Sequence, residues 1–168
     1  QFVQDGNAQR FSLSTFTTLP QPFTVVAVCR APFSSGTAEY LWQSGVEGSS
    51  NLIGCHVDYD DTTNLIIFET AGGGFFVCSA LPANTWITLI IVVNGASSAI
   101  YQDGSLIGSG NLNTLGMVQP FGMGQWLGEL TAEFNWAGDI AEFVIYDKAL
   151  DSGERSSWDT YVSDYYAI

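Results

Sequence analysis

Residues 85–108 of the chain carry the sequence TWITLIIVVNGASSAIYQDGSLIG. Within it, Thr85–Asn94 is apolar on both faces of an extended strand, which predicts a central strand covered from both sides. Two shorter runs, Ser98–Gln102 and Ser105–Gly108, flank Asp103-Gly104. Asp-Gly between apolar runs is the strongest short-range signature of a β-hairpin. We therefore expect a buried strand followed by a hairpin.

Short runs of strand type extend outward from this stretch in both directions. Phe23–Arg30 alternates with a two-residue period and is rich in β-branched residues. The other predicted strands are Glu39–Ser44, Asn51–Tyr59, Asn64–Thr70, Gly74–Ala80, Val118–Gly124 and Gly138–Tyr146. The joints at 60–63 and 71–73 suit antiparallel hairpins, because parallel crossovers need a dozen or more residues. About ten strands at this spacing indicate a sandwich or a barrel.

A single helix is predicted at the end of the chain. Asp151 is a suitable N-cap, and Glu154 three residues later completes a capping box. Leu150 occupies the position of a hydrophobic staple. An apolar face at helical spacing is predicted to pack on the sheets; its members are Trp158, Tyr161, Val162 and Tyr165.

The composition fits a single domain over residues 1–168, because all-β domains often fill this length. Four Lys+Arg stand against seventeen Asp+Glu, for a net charge of −13. The basic residues are scattered at Arg10, Arg30, Lys148 and Arg155. Nucleic acid is therefore excluded as a partner, since phosphate binding needs clustered cations. The longest apolar run, Trp86–Val93, is much shorter than the roughly 20 residues that cross a bilayer, so no membrane insertion is expected.

The start of the chain and the number of cysteines are also informative. The chain begins at Gln1 without a signal peptide, and we expect a processed product or an excised segment. Three cysteines are present, Cys29, Cys55 and Cys78, each within a strand-like run. The odd number leaves at least one thiol free or paired between chains. Unpaired core cysteines are the expectation, with a cross-sheet disulfide or a reactive thiol as alternatives.

Ordered motifs across nearly the whole chain resemble the laminin G-like, concanavalin A-like jelly-roll domains. They are Asp5-Gly6 with 22–28, Trp86 with 94–98 and 101–104, Gly138–Asp147, and 149–155 with 161–168. The variant they resemble is common in bacteriophage structural proteins and bacterial surface proteins. The resemblance implies an all-β, two-sheet antiparallel sandwich with one short C-terminal helix, at an extracellular, virion or cell surface. It does not fix a function, because this fold carries lectins, adhesion modules, capsid parts and glycanases.

Catalytic patterns are incomplete in this sequence. Glycanases of this fold carry Glu-x-Asp-x-x-Glu on one strand; here Asp139 and Glu142 keep the spacing, but Ala137 replaces the first acid. Glu129 and Glu133 flank Trp126 and Trp136, and a hydrolase using that pair is the least favoured hypothesis. The one histidine, His56, neighbours Cys55 in a strand, so their side chains should point to opposite faces. Zinc is not expected with one histidine and no Cys-x-x-Cys. We expect a protein that is not an enzyme.

Calcium and sugar have better candidate residues. Asp58, Asp60 and Asp61 cluster around a predicted hairpin turn, and hard oxygen ligands there suit Ca²⁺, although the same residues are ordinary turn formers. Trp126 lies in a glycine-rich loop and Tyr59 abuts the aspartate turn, whereas Trp42, Trp86 and Trp158 are expected in the core. The candidate ligand-binding residues are Tyr59, Trp126, Glu129 and Asn135.

Three hypotheses for function follow. The first is a non-catalytic recognition or adhesion module that binds glycans or other cell-surface material, as part of a phage particle or bacterial appendage. The second is a structural subunit or decoration protein of a virion or filament, assembled through contacts with other subunits. The third is the glycan hydrolase. The first hypothesis predicts glycan affinity, and the second predicts a stable oligomer. The third predicts activity that depends on the Glu129 and Glu133 carboxylates.

Overall fold

The computed structural model describes residues 2–5, 8–13, 15, 17–31, 39–46, 50–57, 64–69, 73–124, 127 and 135–166. These ranges contain twelve strands and one α-helix. The strands are β1 (Phe2–Asp5), β2 (Ala8–Leu13), β3 (Phe23–Arg30), β4 (Glu39–Ser44), β5 (Ile53–Val57), β6 (Asn64–Glu69), β7 (Phe75–Ala80), β8 (Trp86–Val93), β9 (Ser98–Gln102), β10 (Ser105–Gly110), β11 (Phe121–Met123) and β12 (Asp139–Tyr146). The helix, α1, spans Ser152–Tyr166.

The strands form two antiparallel sheets that face each other. The seven-stranded sheet has the order β1-β2-β11-β4-β5-β6-β7, and the five-stranded sheet has the order β10-β9-β8-β3-β12. The predicted fold class, an antiparallel two-sheet sandwich with a C-terminal helix, is confirmed. In these ranges no helix has the length and apolar character needed to cross a bilayer.

The main core lies between the sheets and follows the strand alternation. In β3, the residues Phe23, Val25, Ala27 and Cys29 face it and are fully buried. β8 is the strand that was predicted to be covered on both sides, and this is confirmed. Its outward residues Ile90 and Val92 join Val26 and Leu150 in a second cluster, against which Trp158 of α1 packs. The helix therefore shields the outer face of the five-stranded sheet at its centre.

The predicted hairpin joins β9 to β10. Asp103 and Gly104 both have positive φ, 47° and 76°, as a type I′ turn requires. Asp103 also holds the neighbouring strand, because its Oδ1 accepts the N–H of Thr88 at 2.8 Å. The Asp-Gly pair thus sets the register of three consecutive strands of the five-stranded sheet.

The helix begins with the predicted capping box. Asp151 Oδ1 accepts the Glu154 N–H at 2.9 Å, and Glu154 Oε2 accepts the Asp151 N–H at 3.1 Å. Thr24 fixes this end to β3: its hydroxyl donates to the Lys148 carbonyl at 2.7 Å and accepts the Leu150 N–H at 3.1 Å. These bonds place the first turn of α1 over the five-stranded sheet.

Several predictions about individual elements are corrected. β1 and β2 were not predicted, and β11 covers only part of Val118–Gly124. On the helix, Val162 is buried and Trp158 half-buried, but Tyr161 and Tyr165 are 40% and 71% exposed, so the predicted packing face is too wide. Trp86 is half-buried and is not a core residue. The central carbon of the Arg30 guanidinium lies over the Trp86 ring, 5.4 Å from the ring centroid. Trp42 is fully buried, as predicted.

Candidate functional site

The outer face of the seven-stranded sheet presents a row of rings and apolar side chains. Tyr40 of β4 pairs with His56 of β5, and their rings are in contact with centroids 4.9 Å apart and planes tilted by 31°. Across β6, the same face continues onto β7. There Phe75 and Val77 point away from the core and are 66% and 49% exposed. We call Tyr40, His56, Phe75 and Val77 the ring face.

Strand alternation explains why these side chains point outward. In β5, Cys55 and Val57 are buried in the core on either side of the half-buried His56. In β7, Phe76 and Cys78 are buried, so Phe75 and Val77 must face outward. Tyr40 reaches this face because the β4–β5 register shifts between Tyr40 and Trp42. That irregularity places Leu41 and Trp42, adjacent in sequence, both in the core.

Two buried polar side chains of β4 anchor a neighbouring segment beside the ring face. Gln43, fully buried, accepts the N–H of Leu127 on its Oε1 at 3.1 Å. Glu39, 5% exposed, accepts the N–H of Ala137 on its Oε2 at 3.2 Å. Gln43 Nε2 is buried and has no hydrogen-bond partner among the described groups. The strand that carries Tyr40 therefore also positions residues 127 and 135–137.

The structure places one of the sequence-predicted site residues. Asn135 is buried and forms a parallel bridge with Tyr40, so it lies next to the ring face. The other predicted residues lie outside the described residues; they are Tyr59, Trp126 and Glu129 for the ligand, Asp58, Asp60 and Asp61 for calcium, and Glu133 for the hydrolase. The predictions made for them stay predictions. Among the residues that are described, no three or more His, Cys, Asp or Glu side chains are grouped to hold a metal.

The residues of the incomplete glycanase motif have partners of their own. Asp139 Oδ2 accepts the Arg30 Nε–H at 2.9 Å and forms an ion pair with the same guanidinium. Glu142 Oε2 accepts hydrogen bonds from the hydroxyls of Tyr161 and Tyr166, at 3.1 and 3.2 Å. Both carboxylates belong to β12, at the edge of the five-stranded sheet. They lie on the opposite sheet from the ring face.

No nucleophilic pair exists at Cys55 and His56. Cys55 faces the core and is fully buried, whereas His56 faces outward. Burial raises the pKa of the Cys55 thiol well above its usual value, and the nearby Cys78 and Cys29 raise it further. A thiol in that environment stays protonated at neutral pH, so Cys55 is a packing residue.

The amino-acid sequence did not reveal Tyr40, His56 and Phe75 as site residues. Successive side chains of a strand point to opposite faces, so the sequence of β5 and β7 is enough to predict that His56 and Phe75 face away from the core. The assembly of the three on one face, however, depends on the β4–β5 bulge and on the order β4-β5-β6-β7.

Comparison with known proteins agrees with this architecture. A laminin G-type family model, described as the concanavalin A-like lectin/glucanases superfamily, matches residues 5–154. The chain belongs to this superfamily. A search among curated proteins finds no match.

Solved structures share the fold of this superfamily member at low sequence identity. Trypanosoma rangeli sialidase in complex with sialic acid has a TM-score of 0.66 and 18% identity, over 98% of this chain and 29% of the sialidase. A heptameric SAP-like pentraxin from Limulus polyphemus has a TM-score of 0.64 and 20% identity, over 94% and 78%. A candidate carbohydrate-binding protein from Bacteroides ovatus has a TM-score of 0.63 and 16% identity, over 82% and 40%. The chain spans less than a third of the sialidase, and these likenesses show the fold alone.

Proposed function

We propose that this domain is a non-catalytic recognition module that binds glycans on its ring face. The observation that carries the proposal is the tilted Tyr40–His56 ring pair, which is half-buried. The exposed Val77 lies in register with this pair, and the exposed Phe75 lies two residues from Val77 on the same face of β7. Aromatic side chains offer a flat apolar surface together with a polar edge, and this combination suits the alternating apolar and hydroxyl faces of a sugar. Membership in a lectin/glucanase superfamily supports a carbohydrate ligand.

The dimensions of the ring face favour an oligosaccharide over a single sugar. Tyr40 and Phe75 lie on β4 and β7, which are separated by β5 and β6. Three inter-strand spacings amount to roughly 14 Å. A chain of several sugar units that lies across the strands contacts both ends of the face. The exposed phenyl ring of Phe75 then gains a partner that shields it from water.

Recognition without catalysis is part of the same proposal. In the described part of β12, Asp139 forms an ion pair with Arg30, and Glu142 accepts hydrogen bonds from two tyrosine hydroxyls. Both carboxylates lie on the sheet opposite the ring face. We place the module on a phage particle or a bacterial appendage, where a binding domain with a net charge of −13 meets cell-surface glycans.

The experiment is a glycan array probed with the wild-type protein and three variants. Phe75→Ser removes an exposed ring that is not needed by the core, and Tyr40→Ala removes one member of the Tyr40–His56 ring pair. Each should weaken binding by about fivefold or more, since an aromatic contact contributes about 1 kcal/mol. Leu106→Ser, which removes a side chain 59% exposed on the five-stranded sheet, is the matched control and should bind as the wild type does.

The same screen tests the calcium prediction and the alternative function. Loss of binding in EDTA would support a calcium ion at Asp58, Asp60 and Asp61. A protein that forms a stable oligomer and binds no glycan would contradict the proposal. In that case the exposed Phe75 and Val77 would be a contact between subunits of a virion or filament.

A further inference from the structure

A groove on the opposite side of the molecule lies between α1 and the outer face of β12. Its cavity volume is about 420 Å³, within the range of small-molecule sites of roughly 300–1,000 Å³. The lining is mainly apolar, with three aromatic rings and two carboxylates. The lining residues are Glu142, Tyr146, Leu150, Glu154, Trp158 and Tyr161, with Ser157 at the rim.

In the groove, the ring of Trp158 stands nearly perpendicular to each of the two tyrosine rings. The plane of Trp158 makes an angle of 80° with Tyr146 and of 85° with Tyr161, at centroid distances of 6.4 and 5.4 Å. Trp158 Nε1 donates to the Tyr146 hydroxyl at 3.0 Å, which fixes this corner. Tyr161 is fixed from the other side by its hydrogen bond to Glu142. The rings therefore form a preorganised corner with π-faces in two directions.

The charge of the groove is negative. Glu142 accepts hydrogen bonds from Tyr161 and Tyr166, and no ammonium or guanidinium group in the described chain forms an ion pair with it. Glu154, the other carboxylate, is engaged by Lys148. Burial, followed by the hydrogen bond to Glu142, raises the pKa of Tyr161 above its ordinary value, so its hydroxyl remains a donor and not an anion. One carboxylate that has no ion-pair partner among the described residues thus lines the groove beside the aromatic rings.

We propose that this groove binds a quaternary ammonium group of the choline type. Such a cation is drawn electrostatically to π-faces within about 6 Å, and its methyl groups suit apolar walls. Glu142 supplies the complementary charge without a short hydrogen bond, which a quaternary nitrogen cannot donate. The same chemistry operates elsewhere in this protein: the Arg155 guanidinium lies 4.0 Å from the centroid of the Tyr101 ring.

The test is to titrate the whole protein with choline and, separately, with 3,3-dimethylbutan-1-ol. Tryptophan fluorescence reports binding in both titrations. The alcohol has the same shape as choline but carries no charge. Choline should bind saturably and at least tenfold more tightly than the alcohol. Glu142→Gln, which keeps the shape of the side chain, should weaken choline binding about fivefold or more, and Tyr161→Ala should do the same. Leu106→Ser removes an apolar side chain that is 59% exposed and does not line the groove, and should leave binding unchanged.

Equal binding of the two compounds, or no saturable binding of choline, would overturn the proposal. So would unchanged affinity in both Glu142→Gln and Tyr161→Ala, provided that thermal melts show both variants folded. A parallel titration with phosphocholine distinguishes a free cation from an esterified headgroup as the source of the ammonium group. The groove and the ring face lie on different sheets, so failure here would leave the glycan proposal unaffected.

Discussion

At the scale of single residues, the three thiols show how completely the sandwich excludes water. Cys29, Cys55 and Cys78 are unbridged and face the core between the sheets. Burial raises the pKa of Cys29 and of Cys78 to about 12. The sequence predicted unpaired core cysteines because each lies in a strand-like run, and that prediction is confirmed.

These pKa values predict that the native thiols are inert. A disulfide reagent at pH 8 should label no cysteine in the folded protein on the timescale of minutes, because the reactive thiolate is scarce and access is blocked. Three equivalents should react after denaturation. Rapid labelling of one equivalent in the native state would contradict the buried placement.

Asp159 is a second residue whose environment opposes its charge. Its pKa is raised, mainly by burial and then by the nearby Asp103 carboxylate, while Arg155 acts in the opposite direction. Its Oδ1 atom is buried without a hydrogen-bond partner among the described groups. An acid whose pKa is raised by folding stabilises the fold below its unfolded pKa. That contribution is lost as the pH rises through the folded value.

We therefore expect Asp159→Asn to raise the melting temperature at pH 7. The gain should shrink as the pH falls toward about 3.9, the ordinary pKa of an aspartate, where Asp159 itself becomes protonated. Melting curves across this pH range provide the measurement. Asp164→Asn, an exposed acid of the same helix, controls for the loss of one negative charge from an acidic chain. An equal gain in both variants would mean that net charge, and not the site, is responsible.

At the scale of elements, the sequence predicted those strands and turns that have their own local pattern. β3, β4 and β9 were predicted with the bounds that they have in the structure. β3 has a two-residue alternation of β-branched residues, and β4 and β9 are bounded by turn residues. β1 and β2 carry the sequences FVQD and AQRFSL, which lack a sustained apolar alternation. They are strands because they pair with each other and β2 pairs with β11. Tertiary pairing of that kind leaves no local pattern to detect.

The helix illustrates the same limit. Its capping box is a local feature and was predicted correctly. The width of its buried face was not predicted correctly, because that width depends on which residues of the five-stranded sheet lie beneath the helix. Tyr161 and Tyr165 stack on each other, with centroids 5.6 Å apart, at the solvent side. Tyr161 thereby becomes available to the groove.

The β9–β10 hairpin depends on Gly104 in two ways. Its φ of +76° disfavours any residue with a Cβ, and a Cβ there would lie 2.9 Å from Asp159 Oδ2. Gly104→Ala should lower the free energy of unfolding by about 1 kcal/mol or more from the backbone strain, with an added contribution from the displaced carboxylate. Chemical denaturation measures the change.

Gly73→Ala is the matched control for this hairpin. Gly73 has a similar φ of +68°, but nothing lies within 4 Å of the Cβ position. Its substitution should therefore cost less than Gly104→Ala. Equal losses would show that the contact between Gly104 and Asp159 has no influence on stability.

At the scale of the whole molecule, the sandwich separates the two surfaces that we propose for binding. The ring face uses the outer side of the seven-stranded sheet, and the aromatic groove uses the outer side of the five-stranded sheet with α1. The sequence identified the superfamily, because motifs that resemble those of the family follow one another along nearly the whole chain. It did not identify the ring face, because Tyr40, His56 and Phe75 are brought together by strand order and a β-bulge.

His56 makes glycan binding on the ring face directly measurable. It is the chain's single histidine and a member of the ring face, so its imidazole protons give one resolved set of NMR signals from that face. The measurement is a titration of the protein with the glycan selected on the array, followed at these signals. We expect a saturable shift of the His56 ring protons, with a midpoint at about fivefold or more higher glycan concentration in Phe75→Ser and an unchanged midpoint in Leu106→Ser. A glycan that binds with the same affinity while the His56 signals stay unmoved would contradict this expectation.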